Sequence, residues 1–297
     1  MKTGLSSYAY FWRLHDQNPS PVSLYDALDD SAQLGADVFQ ICDYPQIESW
    51  SEGQLAALYQ HASRLGITLE LGTKGIAPAH LRRYLHIAGE LDCRLLRTMV
   101  NTPDHRPSQA QALDYLTEVL PEFTRQQVAI CLETYEQVAT CHNVELVRTL
   151  DSPWLGICLD PANCVAALEM PDEVVTLTSP WVLNWHVKDF AFSRRDGWVG
   201  FTLSGCPQGE GLLDYDAIRE RIQPEKRNIN QIVEHWLPWQ GDFATSCETE
   251  ARWAQHNMQL MTLASSLRWA SLPLSQEAAT CWIAATPPKA SSCSSLV

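Results

Sequence analysis

The sequence predicts a single closed barrel of eight parallel strands, each followed by a helix: a (β/α)8 barrel. Three observations lead there. Strand-like and helix-like runs alternate along the chain, and alternation implies parallel strands joined by crossover helices. Eight such units fit into about 265 residues, which favours a closed barrel over an open doubly wound sheet. Of the 297 residues, 45% are hydrophobic and 19% charged, a balance that supplies a sizeable core.

The elements follow in order. Residues 3–10 form the first strand, and 23–35 a helix with Leu24, Leu28 and Leu34 apolar and Gly35 as its stop. Strand two is 37–43. The helix over 51–66 opens on Ser51, carries Leu55, Leu58 and Ala62 on one face, and ends at Gly66. Strands three and four are 67–73 and 94–100, around a helix over 77–92. The helix over 108–127 contains Pro121, which predicts a split or kink. Strand five, 128–134, leads to a helix over 143–151 capped by Asn143. Strand six is 155–161, then a short helix covers 171–179. Strand seven, 181–189, ends in a long loop. A helix over 214–223, strand eight over 230–236 and a closing helix over 247–269 complete the barrel. The barrel domain is expected over 1–270. Residues 271–297, rich in Ser, Ala and Pro, are expected to be a disordered tail without function.

Charge and cysteine usage exclude several classes. The net charge is −14, with 21 Lys and Arg against 35 Asp and Glu. Such a surface repels phosphate backbones, so nucleic acid is not an expected partner. None of the ten cysteines forms a CxxC pair, and several sit in apolar strands such as "AICLE" and "GICLD". No signal peptide and no membrane-length apolar run is seen, so a reduced cytoplasm is the expected location.

In barrels of this kind the active site lies at the C-terminal ends of the strands. Strand five ends in Glu133, strand six in Asp160, strand seven in His186 and strand eight in Glu234. Each alone also suits a helix cap, a turn or a solvated loop. Four consecutive strands delivering ligand-type side chains to one mouth argue for one divalent cation. Carboxylates with one imidazole suit Mn²⁺, Mg²⁺ or Co²⁺, and Zn²⁺ usually takes more nitrogen or sulfur. Further candidates at the mouth are Tyr8, Trp12, Asp43, Lys74, Arg97, Asn101, Lys188, Arg194 and Arg195. Tyr8 and Trp12 offer aromatic faces to a sugar or plain packing. Lys188 offers a cation to an oxyanion or carboxylate, or a salt bridge to Asp189 or another acidic neighbour. The loop "SGCPQGEG" over 204–211 is expected to fold over the site.

The segments "LETYE", "GICLDPAN", "NWHVKD", "CPQGEGLLDYDAI" and "VEHW" resemble the xylose isomerase-like TIM-barrel superfamily, over residues 3 to about 265. Its members include sugar (phosphate) isomerases and epimerases, inosose and dehydroshikimate dehydratases, and an endonuclease branch. By resemblance to the ketose 3-epimerases, Glu133, Asp160, His186 and Glu234 bind one metal, and the two glutamates act as acid and base on opposite faces of the substrate. The chain departs from that branch at Asn163, where the branch has histidine, and at Phe192, where it has arginine. Both departures argue against ketose 3-epimerase activity in particular, and the endonuclease branch lacks support from charge or histidines.

The resemblance implies proton transfer beside a carbonyl, through a metal-stabilised enediolate. The expected function is a metal-dependent sugar isomerase or epimerase with Glu133 and Glu234 catalytic. Tyr8, Trp12, Lys74, Arg97, Asn163, Lys188 and Arg194 would contact a small carbohydrate or keto-acid substrate. A lyase, decarboxylating or dehydrating a 3-oxo sugar acid on the same metal site, is the first alternative, because the cations suit a carboxylate. A non-catalytic sugar-binding barrel is the second. The Trp-bearing closing helix fits a homo-oligomer interface or barrel packing equally.

Overall fold

A computed structural model of the protein describes residues 1–195, 197 and 199–266. Met1–Thr262 form one compact unit, and the expected tail over 271–297 lies outside the described residues. Eight parallel strands close into a barrel: Thr3–Ser6 (β1), Val38–Cys42 (β2), Thr68–Lys74 (β3), Leu95–Met99 (β4), Ala129–Glu133 (β5), Leu155–Leu159 (β6), Val182–Val187 (β7) and Asn230–Val233 (β10). β10 closes the ring between β7 and β1. The remaining strands, Asp189–Arg194 (β8) and Phe201–Cys206 (β9), form a separate antiparallel hairpin.

The crossover helices start and stop where local chemistry dictates. Leu24–Gln33 (α1), Glu52–Leu65 (α2) and Gln109–Gln126 (α4) each open on a reciprocal capping box, Ser23 with Asp26, Ser51 with Gln54 and Ser108 with Gln111. Each serine oxygen accepts an otherwise orphaned N–H, and the third residue's side chain accepts the serine's own N–H. α2 ends at Gly66 with φ of 74°, a left-handed cap that glycine adopts without strain. Pro78–Glu90 (α3) follows β3. Leucines and alanines of these helices bury against the outside of the barrel, where most of the hydrophobic core lies.

Several elements differ from the sequence-based expectation. The first strand ends at Ser6, and Ser7–Tyr10 turn into a 3₁₀ helix. α4 runs unbroken through Pro121. Thr140–Leu150 (α5) begins before Asn143, which is buried inside it and donates from Nδ2 to the Glu133 carbonyl (3.0 Å) instead of capping. Pro161–Cys164 (α6), directly after Asp160, precedes the expected helix, which spans Pro171–Thr178 (α7). Tyr215–Ile222 (α8) is followed by one further turn, Pro224–Arg227 (α9). The closing helix, Phe243–Ser266 (α10), starts earlier than expected.

The expected long loop after strand seven is largely the β8–β9 hairpin, whose exposed outer half carries no apolar periodicity. Its base is organised by one carboxylate. Asp189 accepts the N–H groups of Phe190 (2.8 Å), Leu213 (3.0 Å), Gly209 (3.0 Å) and Gly211 (2.9 Å). A Cβ on Gly211 would stand 2.2 Å from Asp189 Oδ1, so only glycine allows this approach. The glycines of 209–211 thus wrap Asp189, and Gln208 N–H donates to Asn257 on α10 (2.9 Å).

Replacing Asp189 with alanine leaves four N–H groups without their acceptor. We expect a loss of about 3 kcal/mol in urea unfolding, and a smaller one for Asp189→Asn, which keeps an acceptor oxygen. A change below about 0.5 kcal/mol would show that the carboxylate does not hold the loop.

Candidate metal centre and active site

The site rests on side chains that reach across the barrel interior. Gln40 on β2 accepts at Oε1 from His186 Nε2 on β7 (2.8 Å), although β1 and β10 separate those strands. Its Nε2 donates to Glu70 on β3 (3.0 Å) and to Asn184 on β7 (3.1 Å). Asn184 and Asn230 donate to the same Glu70 carboxylate at 3.0 and 2.7 Å. Strand side chains alternate with a period of two. Gln40, Glu70 and Asn184 therefore form a floor, and positions two residues onward point into the barrel above it.

One such position is His186, fully buried. Its Nδ1 has no hydrogen-bond partner. Around it stand Glu133 Oε1 (3.4 Å), Glu234 Oε2 (3.4 Å) and Asp160 Oδ2 (3.6 Å). All four ligand atoms lie within 4.8 Å of one another. Ligands bonded at about 2.1 Å to one ion stand roughly 3 to 4 Å apart, so the cage fits a single cation. Its donor set is an aimed imidazole lone pair with three carboxylates. Cys42 also lies near His186 and Glu234, but burial holds its thiol pKa well above normal, and a neutral thiol is a poor ligand.

Cations share the enclosure. Lys188 Nζ pairs with Asp160 (2.7 Å) and Glu234 (3.1 Å), and stands 4.6 Å from the centre of the Trp236 ring. Arg97 pairs with Glu133 through Nε and with Asp43 (3.2 Å). Lys74 pairs with Asp43 (2.9 Å), and the Tyr8 hydroxyl donates to that same carboxylate. Burial opposes ionisation of Glu133, but Arg97 and then His186 outweigh it and hold the carboxyl well below the usual range. Burial likewise opposes ionisation of Glu234, and His186 and Lys188 lower its pKa. Lys188 stays protonated: burial disfavours its charge, and Asp160, Glu234 and Glu133 favour it by more. Ser6 Oγ donates to Glu234 (2.9 Å) and Asn163 Nδ2 to Glu133 (3.0 Å), which fixes both carboxylates.

A cavity of about 180 Å³ brings together Tyr8, Lys74, Arg97, Glu133, Asn163, Lys188 and Glu234, with Met99, Glu136 and Trp236 completing its wall. Trp12 lies elsewhere: it lines a neighbouring cavity of about 390 Å³, to which Tyr8 and Trp236 also contribute. Arg194 sits on β8 with its guanidinium 4.7 Å from the Phe201 ring centre, outside both cavities, and Arg195 is exposed beyond it. Asn101 is buried and donates its N–H to Tyr135 (3.0 Å). The loop over 204–211 does not line the metal cavity; only Ser204 reaches the neighbouring one.

The profile of xylose isomerase-like TIM barrels matches residues 28–264. The chain belongs to the xylose isomerase-like TIM-barrel family. It is 54% identical over 261 residues to the 3-oxo-isoapionate decarboxylase of Pectobacterium atrosepticum, covering 88% of this chain and 95% of that protein. Two solved structures share the fold at low identity. D-psicose 3-epimerase from Clostridium cellulolyticum, with D-tagatose, superposes with a TM-score of 0.68 at 16% identity, covering 89% and 99% of the two chains. A family member from Mycobacterium smegmatis, in complex with magnesium, gives 0.65 at 14%, covering 87% and 97%.

Within this xylose isomerase-like barrel, the floor residues Gln40, Glu70, Asn184 and Asn230 were not anticipated. Nor were Ser6, Met99, Glu136 and Trp236. A signal for the floor was present: single polar residues in "VFQIC", "TLELG" and "VLNWH" interrupt otherwise apolar strands. Among the described residues, no helix is long and apolar enough to cross a membrane.

His235, beside Glu234, is buried with neither ring nitrogen partnered, its ring edge-on to Trp253. Burial, then Arg13 and Lys188, push its pKa down to about 3. The folded protein keeps His235 neutral, whereas the unfolded chain protonates it near pH 6.5. Below that pH the unfolded state binds the extra proton, so stability falls by about 1.4 kcal/mol per unit until pH approaches 3. In urea unfolding across pH 4–7, His235→Phe is expected to flatten this acid slope; an unchanged slope would exclude His235 as its source.

Proposed function

We propose that the protein is a divalent-metal-dependent decarboxylase of a 3-oxo sugar acid, with the ion held by Glu133, Asp160, His186 and Glu234 and Mn²⁺ or Mg²⁺ as its native metal. The observation that carries this reading is the convergence of three cations on one cavity beside the cage. Lys74, Arg97 and Lys188 line it together with Glu133, Glu136 and Glu234, and Asp43 and Asp160 pair with these cations from beside it. A divalent ion in the cage would add its charge to these cations, which suits a substrate that carries a carboxylate. The identity of 54% with a 3-oxo-isoapionate decarboxylase supports the same conclusion.

In a 3-oxo acid the ketone lies β to the carboxylate, so the electron pair of the breaking C–C bond can delocalise onto the ketone oxygen. When bound, the ion supplies a Lewis acid for that oxygen. Arg97 and Lys74 at the wall hold the anionic and hydroxyl groups of the substrate. Tyr8 and Trp236 cover it and exclude water. After carbon dioxide departs, the carbon that carried it takes a proton. Among the cations at the wall, Lys188 is the one paired with two of the cage carboxylates, and Glu234, 3.1 Å away, shares its hydrogen bond and steers its proton. An isomerase or epimerase would form a similar enolate by proton abstraction, with Glu133 and Glu234 as the opposed pair. The cations and the decarboxylase relative favour the lyase.

The test is a panel of 3-oxo sugar acids and ketoses in D₂O, with Mn²⁺ or Mg²⁺ and then with chelator. The expected result is metal-dependent carbon dioxide release, with one deuteron at the adjacent carbon. Lys188→Met is expected to lower kcat by at least about 100-fold. Epimerised ketose without carbon dioxide would return the assignment to the isomerases. Tight sugar binding without turnover would favour a binding barrel.

A further inference from the structure

The floor beneath the cage has a fixed hydrogen-bond polarity. Glu70 is almost fully buried and receives three side-chain amides: Gln40 Nε2 (3.0 Å), Asn184 Nδ2 (3.0 Å) and Asn230 Nδ2 (2.7 Å). The Asn230 orientation is anchored by the backbone, because Lys2 N–H, which can only donate, meets Asn230 Oδ1 at 2.8 Å. Burial pushes the Glu70 carboxyl up while Asn230, Gln40 and Asn184 pull it down by donating to it; with one amide on Oε1 and two on Oε2, both oxygens accept. Gln40 must therefore turn its NH₂ end toward Glu70, and its Oε1 toward His186. The Asn184 Oδ1 acceptor (3.1 Å from Gln40 Nε2) and the Cys42 thiol (2.9 Å from Gln40 Oε1) agree with that orientation. With Oε1 opposite, His186 Nε2 must carry hydrogen, which in the neutral ring leaves the Nδ1 lone pair for the cage.

We infer that Glu70 is a positioning residue for the metal centre: acting through Gln40, it fixes His186 in the Nε2–H tautomer and aims Nδ1 at the cation. The carboxylate touches neither the cage nor the cavity, and its effect passes through one amide. A flipped Gln40 would place NH₂ against His186 Nε2 and favour the opposite tautomer, with hydrogen on the atom that should bind the ion. A glutamine at position 70 can donate as well as accept, so Gln40 loses the constraint on its orientation. An outer-shell partner of this kind typically contributes 10- to 100-fold in metal affinity.

The inference rests on the metal-binding reading above, and two measurements on the full chain separate their failures. The first is Mn²⁺ affinity of the wild type, Glu70→Gln, His186→Ala and the double variant, with the melting temperature of each metal-free protein. Glu70→Gln is expected to weaken Mn²⁺ binding by at least about 10-fold in the wild type and by less than about twofold in the His186→Ala background, since coupled residues are not additive. Equal weakening in both backgrounds, or a lower metal-free melting temperature with unchanged affinity, would assign Glu70 a structural role only and overturn the inference.

The second measurement is imidazole ¹⁵N spectra of the metal-free protein at alkaline pH, where His186 loses its proton although the carboxylates around Nδ1 raise its pKa well above the ordinary value. The wild type is expected to show Nε2–H alone, and Glu70→Gln a mixture of tautomers. An unchanged tautomer refutes the relay whatever the metal does, while a wild type that binds no Mn²⁺ refutes the metal site and leaves the tautomer to judge the relay. Gln40→Met removes the intermediary and is expected to reproduce both effects; it decides the matter if Glu70→Gln does not fold.

Discussion

Three carboxylates converge on one imidazole nitrogen inside a barrel from which water is largely excluded, and much of the surrounding structure compensates that convergence. Glu133, Asp160 and Glu234 come within 3.4–3.6 Å of His186 Nδ1. Isolated, such buried charges would cost several kcal/mol each. Arg97 and Lys188 supply charge from within the same barrel, and Ser6 and Asn163 supply hydrogen bonds. Well-packed apolar residues would fill this space at lower cost. Polar and ionic side chains occupy it in an arrangement that could seat a cation, and the rest of the molecule supplies the stability they do not.

That stability sits outside the barrel wall. The hydrophobic core joins strand and helix residues in one large cluster, and Leu95, Cys131 and Cys158 form a second, small one. The helices α1, α2 and α4, fixed by serine capping boxes and leucine faces, support the strands from outside, while α6 sends Asn163 to Glu133. The hairpin and the loop over 206–213 play a comparable part on the mouth side, where Asp189 gathers four backbone donors.

The decarboxylase and isomerase readings share this apparatus, because both need an electron sink beside a carbonyl and a positioned proton. Substrate charge separates them. Three cations on the wall of one cavity would suit an acid, whereas a neutral ketose would gain little from Arg97 and Lys74. The fold is common to a D-psicose 3-epimerase and to a 3-oxo-isoapionate decarboxylase relative, so the barrel does not choose between these reactions. The side chains on its wall do.

The sequence by itself determined the barrel and the four side chains of the cage. Strand and helix periodicities are local, and a residue at the end of an inward-facing strand has little choice of direction. It did not determine the β8–β9 hairpin, because an exposed two-stranded ribbon buries no regular face and leaves no periodic trace. It placed Trp12 and Arg194 at the site when neither lines the metal cavity, since loop and hairpin positions depend on contacts such as those of Asp189 and Glu250 that local pattern does not encode. The floor of Gln40, Glu70, Asn184 and Asn230 was visible only as stray polar residues in apolar strands. Their function depends on meeting across the barrel, at sequence separations of 30 to 160 residues, and only closure of the ring brings them together.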